Sequence, residues 1–72
     1  MASFTPHQYD VIERAVANGQ RLLLTRRGVQ FILLPERLVT SSTEERLEGR
    51  HPSTGEPISF VIGELERVDL LR

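Results

Sequence analysis

The chain has 72 residues, with nine arginines, no lysine, no cysteine and ten acidic side chains, and its formal net charge is −1. A chain of this size buries only roughly 60% of the surface that its unfolded form exposes, which leaves room for one domain over residues 1–72 and little room for a deep catalytic cleft. A charge this close to neutral disfavours non-specific nucleic-acid binding, and a chain without cysteine has no disulfides and no thiolate metal ligands.

The first element that the sequence predicts is an N-terminal helix over residues 6–18. Thr5 is a favourable N-cap residue, and Pro6 occupies the first helical position, where its missing N–H costs no hydrogen bond. Gln8 lies three residues after Thr5 and completes a capping box. Gly19, which follows Asn18, is typical of the left-handed residue that ends a helix.

The spacing of apolar residues divides this helix into two faces. The face predicted to cover the core consists of Tyr9, Ile12 and Val16, flanked by Val11 and Ala15. The face predicted to point away from the core consists of His7, Asp10, Glu13, Arg14 and Ala17.

After Gly19 the apolar pattern changes to a period of two, which is typical of strands. Leu22 and Leu24 fall on one face of a first strand, Arg26-Arg27-Gly28 forms a turn, and a second strand covers residues 29–34, so that the sequence predicts a hairpin. Pro35 cannot donate to a ladder and is predicted to end the second strand.

Short strands are predicted over residues 38–40, 45–49, 57–62 and 67–71, and turns separate them. For residues 45–49 the alternative is a helical turn, and the pattern favours a strand. In this interpretation Gly28, Gly49, Gly55 and Gly63 are all turn glycines. The chain is therefore predicted to be mainly β with one N-terminal helix. Five or six short strands over residues 20–71 have the spacing of a small antiparallel barrel or sandwich, and closure into a barrel that the helix caps at one end would leave no free edges.

The residues that carry chemistry do not form a catalytic pattern. His7 and His51 lack the spacing of a metal pair, the Ser and Thr clusters lie in predicted turns, and Glu44, Glu45 and Glu48 indicate a solvated acidic face. We therefore expect no enzymatic activity, no metal and no cofactor. Arg26 and Arg27, at a hairpin tip, are the best candidates for contacts with phosphate.

The sequence also predicts a cytoplasmic protein that does not enter a membrane. The N-terminal residues lack the basic and apolar segments of a signal peptide. The longest apolar run, residues 31–34, is far shorter than the roughly 20 residues that cross a bilayer. A chain this small without cysteines favours a reducing compartment.

Residues 9–15, with the sequence YDVIERA, carry the most specific motif, which is a Tyr-Asp pair followed by an aliphatic residue, a glutamate and an alanine. The strand of residues 22–25, Gly28, and segments 46–49, 54–56 and 64–68 extend the similarity. On these residues the chain resembles the Rof family, the Rho-binding antiterminators of bacteria. The resemblance implies an N-terminal helix on an Sm-like barrel. It also implies binding to the RNA-binding region of transcription termination factor Rho, which blocks RNA loading.

The same resemblance implies that Tyr9, Asp10 and Glu13 belong to the helix that meets the partner, and Arg14 lies on the outer side of that helix. Acidic side chains at this place would imitate RNA phosphates toward a basic groove.

Two other resemblances lead to different functions. Residues 17–35, which include the run TRRG, are similar to the central hairpin of Phd-type antitoxins, a hairpin that supports DNA binding. The packed strands predicted over residues 58–71 differ from the unstructured toxin-binding tail of those antitoxins. The order of helix, strands and mid-chain proline is also similar to accessory domains of the WYL kind in transcription regulators, without the Trp-Tyr-Leu signature.

Together these patterns predict a small non-enzymatic regulatory module that binds a protein partner and resembles inhibitors of Rho-dependent transcription termination. The alternative is a nucleic-acid-binding module, either Phd-like or an RNA-binding Sm-like barrel, that uses Arg26 and Arg27. Whether two copies pair through free edge strands as a homodimer stays open.

Overall fold

The computed structural model describes residues 6–71, so the predicted cap residue Thr5 lies outside the described residues. Helix α1 spans Pro6–Asn18, which is the range that the sequence predicts. Gly19 has a φ of 65°, and the N–H of Gln20 donates to the carbonyl of Ala15 at 3.0 Å. This left-handed glycine and this hydrogen bond are the features of a Schellman motif, which ends the helix.

Five antiparallel strands follow the helix, so the chain is mainly β with one helix. They are β1 (Arg21–Arg26), β2 (Val29–Thr40), β3 (Glu45–Arg50), β4 (Pro57–Val61) and β5 (Arg67–Leu71), with a 3₁₀ turn at Ile62–Glu64 between β4 and β5. The strands form one sheet in the order β4-β3-β2-β1-β5. Within residues 6–71 no pairing between β4 and β5 closes the sheet. No helix of these residues is long and apolar enough to cross a membrane.

The predicted turn between β1 and β2 is present and contains two residues in left-handed conformations. Arg27 has a φ of 51° and Gly28 a φ of 75°, and Arg26 faces Val29 across the turn. Two consecutive positive φ angles are the mark of a type I′ turn, whose twist matches that of the flanking strands.

Strand β2 continues through Pro35, where the sequence predicts that it ends. Its first half pairs with β1 up to Leu33, and its second half pairs with β3 from Leu34 onward. The register shifts between Pro35 and Arg37, as in a β-bulge. A bulge is a position at which a strand tolerates proline, so Pro35 bends the strand and does not end it. The separate strand predicted over residues 38–40 is therefore the second half of β2.

Gly49 lies inside β3, and its assignment to a turn is wrong. It faces Pro35 across the sheet and is buried. A Cβ atom on Gly49 would lie 2.3 Å from the carbonyl oxygen of Leu34 and 2.9 Å from the Cα of Pro35. Both neighbours are main-chain atoms that cannot rotate away, so the close approach of the two strands requires glycine here.

The core lies between helix α1 and the inner face of the sheet. Alternation along the hairpin places Leu22, Leu24 and Leu33 on this face, and the helix contributes Ile12 and Ala15. The remaining buried members are Leu47, Phe60, Ile62, Leu65 and Val68. Tyr9, Val11 and Val16 pack against this cluster and are half-buried, as the spacing of the helix predicts.

Because a Cβ at position 49 would overlap the main chain of β2, we expect Gly49→Ala to lower the free energy of unfolding by about 2–4 kcal/mol. Urea denaturation followed by circular dichroism measures this loss. Gly63→Ala is the matched control, since a Cβ at Gly63 meets no atom within 4 Å. A Gly49→Ala variant as stable as the Gly63→Ala variant would contradict the close approach.

Candidate functional site

The outer helix face, defined here as His7, Asp10, Glu13 and Arg14, is exposed to solvent along its length. Asp10 and Arg14 are one helical turn apart, but no ion pair joins them within the described residues. The carboxylate of Glu13 likewise has no hydrogen bond or ion pair to residues 6–71. Three of the four residues predicted to bind a partner therefore lie together on an accessible surface with their charges available.

Tyr9, the fourth of these residues, lies on the other side of the helix. It is half-buried and packs against the core. Its hydroxyl donates to Oε1 of Glu45 at 2.5 Å, while Oε2 of Glu45 accepts from Thr40 at 3.3 Å. Tyr9 thus ties the helix to β3, and its predicted contact with a partner stays a prediction.

The carboxylate that accepts this hydrogen bond raises the pKa of Tyr9 above its usual value, and partial burial raises it further. The physical reason is that a hydroxyl donating to a carboxylate loses this bond on ionisation and becomes a second negative charge beside Glu45.

Arg26 and Arg27 are neighbours in sequence, but the structure gives them different surroundings. The guanidinium of Arg26 lies over the ring of Phe31 at 5.2 Å and over the ring of Phe60 at 5.4 Å. Its Nη1 is 3.8 Å from Oε1 of Glu64. Arg27 is exposed at the tip of the hairpin and forms no ion pair with residues 6–71. The pair predicted to contact nucleic acid therefore divides into one arginine held over aromatic rings and one free at the turn.

Beside Arg26 lies a pocket of about 520 Å³, which we name the aromatic pocket. Its floor contains the rings of Phe31 and Phe60, whose centroids are 5.4 Å apart and whose planes are tilted by 56°. The rest of its lining is Arg26, Gln30, Ile32, His51, Pro52, Ser53, Ile58 and Ser59. The sequence does not indicate Phe31 and Phe60 as site residues, because three separate segments form this pocket and no local spacing connects them.

His51 fixes the loop that forms one wall of the aromatic pocket. Its Nδ1 accepts the main-chain N–H of Ser53 at 3.1 Å and that of Thr54 at 3.4 Å. Its main-chain N–H donates to Glu56, and its carbonyl accepts from Gly55, each at 2.9 Å. An Nδ1 that accepts hydrogen bonds belongs to the tautomer that carries its proton on Nε2. Within residues 6–71 no three His, Asp or Glu side chains form a group that could hold a metal.

Most of the other arginines are neutralised by carboxylates on the same surface. The four pairs besides Arg26–Glu64 are Arg37–Glu48 (2.7 Å), Arg67–Asp69 (2.8 Å), Arg50–Glu36 (2.9 Å) and Arg46–Glu44 (3.8 Å). Arg14, Arg21 and Arg27 are the arginines without an ion pair among the described residues. The positive charge of the chain is therefore dispersed, which suits local recognition better than a long contact with a phosphate backbone.

Neither the family models nor the curated protein sequences contain a match to this chain. Among solved structures, the chain is similar to part of proteasome accessory factor B/C (PafBC) of Arthrobacter aurescens, with a TM-score of 0.75 and 19% sequence identity. The alignment covers 97% of this chain and 12% of that one. At this identity the likeness shows a shared fold over a small part of the larger protein.

The bond between Tyr9 and Glu45 has a direct spectroscopic consequence, since Tyr9 is the sole tyrosine of the chain. We expect ultraviolet titration of the folded protein to give a midpoint above about 10, the value of an unperturbed tyrosine. Because the folded-state pKa is raised, the associated stability is fully present below pH 10 or so and is lost as the pH rises through the folded-state pKa.

Glu45→Gln is the test of cause, because it removes the carboxylate charge and keeps the shape of the side chain. Its titration midpoint is expected to return toward that of an unperturbed tyrosine. Tyr9→Phe should lower the free energy of unfolding by about 0.5–1 kcal/mol near pH 7 in urea denaturation. A midpoint that Glu45→Gln leaves unchanged would contradict the assignment.

Proposed function

We propose that the chain is a small non-enzymatic binding module of the bacterial cytoplasm that acts in transcription regulation, and that its outer helix face recognises a protein partner. The observation that carries this proposal is the pair of exposed carboxylates, Asp10 and Glu13, which have no ion pair among the described residues. On a surface where most arginines are already neutralised, these two charges are available to a partner.

The position of the two carboxylates supports this proposal. Asp10 and Glu13 are three residues apart and therefore lie side by side on the helix surface. Two adjacent negative charges on a rigid element complement a basic groove, where they speed encounter and fix orientation. Because residues 9–15 resemble the Rof family, transcription termination factor Rho is the partner to test first.

We also propose that the five strands form the sheet of a small Sm-like barrel. Strand β2 supports this interpretation, because it bends at Pro35 and belongs to both halves of the sheet. The two halves bury one common set of apolar side chains together with the helix. A barrel arrangement of this kind covers most of the inner face with a single core.

Reversal of the two helix charges tests the main proposal. We expect the wild-type protein to bind Rho in biolayer interferometry and to raise readthrough at a Rho-dependent terminator in transcription assays. Asp10→Arg with Glu13→Arg should weaken binding by at least about tenfold, since two favourable charge contacts become repulsive.

Glu56→Arg is the control for each of the two substitutions taken singly, because it makes the charge change of one of them at an exposed loop residue outside the helix. It should leave binding to Rho within about twofold of wild type, since a rim charge contributes little. Absence of binding of the wild-type protein at micromolar concentrations would refute Rho as the partner, and equal losses in all variants would refute the helix surface.

The second candidate, a nucleic-acid-binding module, is supported by one observation, the unpaired and exposed Arg27 at the hairpin tip. If this function is correct, affinity for a DNA or RNA oligonucleotide should fall linearly with the logarithm of salt concentration, and Arg27→Gln should reduce the slope by about one. Fluorescence anisotropy at several salt concentrations measures both. A flat salt response would count against this candidate.

A further inference from the structure

The first half of β2 has an edge that no strand of residues 6–71 covers. Over residues 29–33 one edge pairs with β1, while β3 begins its pairing only at Leu34. Arg26 and Val29 flank a two-residue turn and so exchange hydrogen bonds. The alternation of an antiparallel ladder then directs the main-chain N–H and C=O groups of Gln30 and Ile32 toward the open edge.

The aromatic pocket lies along this open edge, since Gln30, Phe31 and Ile32 all line it. Ile32 is 42% exposed and Val29 is 54% exposed, and these are the large apolar side chains most accessible to solvent among the described residues. Main-chain hydrogen-bonding groups and an apolar pocket side by side are the two features that recognise an extended peptide.

The charge of the lining indicates which kind of peptide fits. Among the described residues, Arg26 is the one charged residue of the lining, and no carboxylate belongs to it. Two aromatic rings support the guanidinium, but it donates no hydrogen bond to residues 6–71, and its contact with Glu64 is 3.8 Å long. A guanidinium already fixed in place with its N–H groups available is suited to a carboxylate, which it can bind through two hydrogen bonds.

We propose that the open edge of β2 and the aromatic pocket bind a short, extended, acidic segment of a protein partner. The main chain of this segment pairs with Gln30 and Ile32. One of its apolar side chains enters the pocket beside Ile58, and a carboxylate of the segment binds the guanidinium of Arg26. The segment is short because β3 occupies the same edge of β2 from Leu34 onward.

The same features argue against a single-stranded nucleic acid at this place. Stacking of bases requires accessible aromatic faces. Phe60 is only 4% exposed, and Arg26 covers both rings. One cation also gives little attraction for successive phosphates. None of the residues of the outer helix face lines the aromatic pocket, so this proposal can fail or succeed independently of the proposed binding to Rho.

The test uses the full 72-residue chain and a fluorescein-labelled peptide of sequence Thr-Phe-Thr-Ile-Thr-Glu. Anisotropy measures the affinity, and nuclear magnetic resonance of the ¹⁵N-labelled protein locates the bound peptide. We expect saturable binding, with the largest amide shifts at Gln30 and Ile32. A peptide that ends in Lys should bind about tenfold more weakly, because it loses the charged contact.

Two protein variants form a matched pair. Arg26→Gln should weaken binding by about tenfold, whereas Arg27→Gln makes the same charge change at the adjacent residue outside the pocket and should stay within about twofold. Ile32→Thr is an additional variant at an exposed position of the open edge, and it should also weaken binding. Thermal denaturation of each variant checks that it is folded.

Several results would overturn the proposal. The first is the absence of binding at about 1 mM peptide, because a dissociation constant above this value corresponds to a free energy too small for a specific site. The second is an equal effect of Arg26→Gln and Arg27→Gln on the affinity. The third is a set of amide shifts confined to residues outside the pocket. Tighter binding of an oligo-dT strand at the same amides would assign the site to nucleic acid. A dimer in light scattering that Ile32→Thr converts to a monomer would assign the edge to a second copy of the chain.

Discussion

The arrangement of this domain depends on the close approach of β2 and β3 at Gly49. The carbonyl of Leu34 and the Cα of Pro35 occupy the space in which any other residue would place a Cβ atom. At the same point the register of β2 shifts, and the strand passes from one half of the sheet to the other. A single strand therefore holds both halves, and the core can form between them only if this bend is kept.

The bend also determines where the surface is left incomplete. Because β3 pairs with β2 only from Leu34 onward, the first half of β2 has one edge that no strand of residues 6–71 covers, and the loop that begins at His51 lines the pocket along this edge. The aromatic pocket fills the space between this edge, the loop and β4. Open edges are a hazard for aggregation in small β proteins. Here the edge is short, and the cationic side chain of Arg26 lies beside it.

The sequence predicted well the features that depend on nearby residues. Helix α1 and the hairpin turn at Gly28 follow from capping and turn preferences, which act over a few positions. The predictions that Pro35 ends a strand and that Gly49 lies in a turn are wrong, because the structural role of both residues depends on the contact between β2 and β3. Local patterns describe a proline as a strand breaker and a glycine as a turn residue. The alternation of Leu22 and Leu24 does indicate where Arg26 lies, because the next residue in this alternation falls on the core side of β1.

The near-neutral net charge of the chain conceals an uneven distribution of charge over its surface. Ion pairs on the surface of β2, β3 and β5 neutralise four arginines, and exposed pairs of this kind add little stability. Other charges have no ion pair among the described residues, and these include Asp10, Glu13 and Arg14 on the helix and Arg27 at the hairpin tip. Since attraction between surface charges decays within about 8 Å at physiological salt, each charge acts mainly on groups close to it, and the net charge of the chain says little about any one part of its surface.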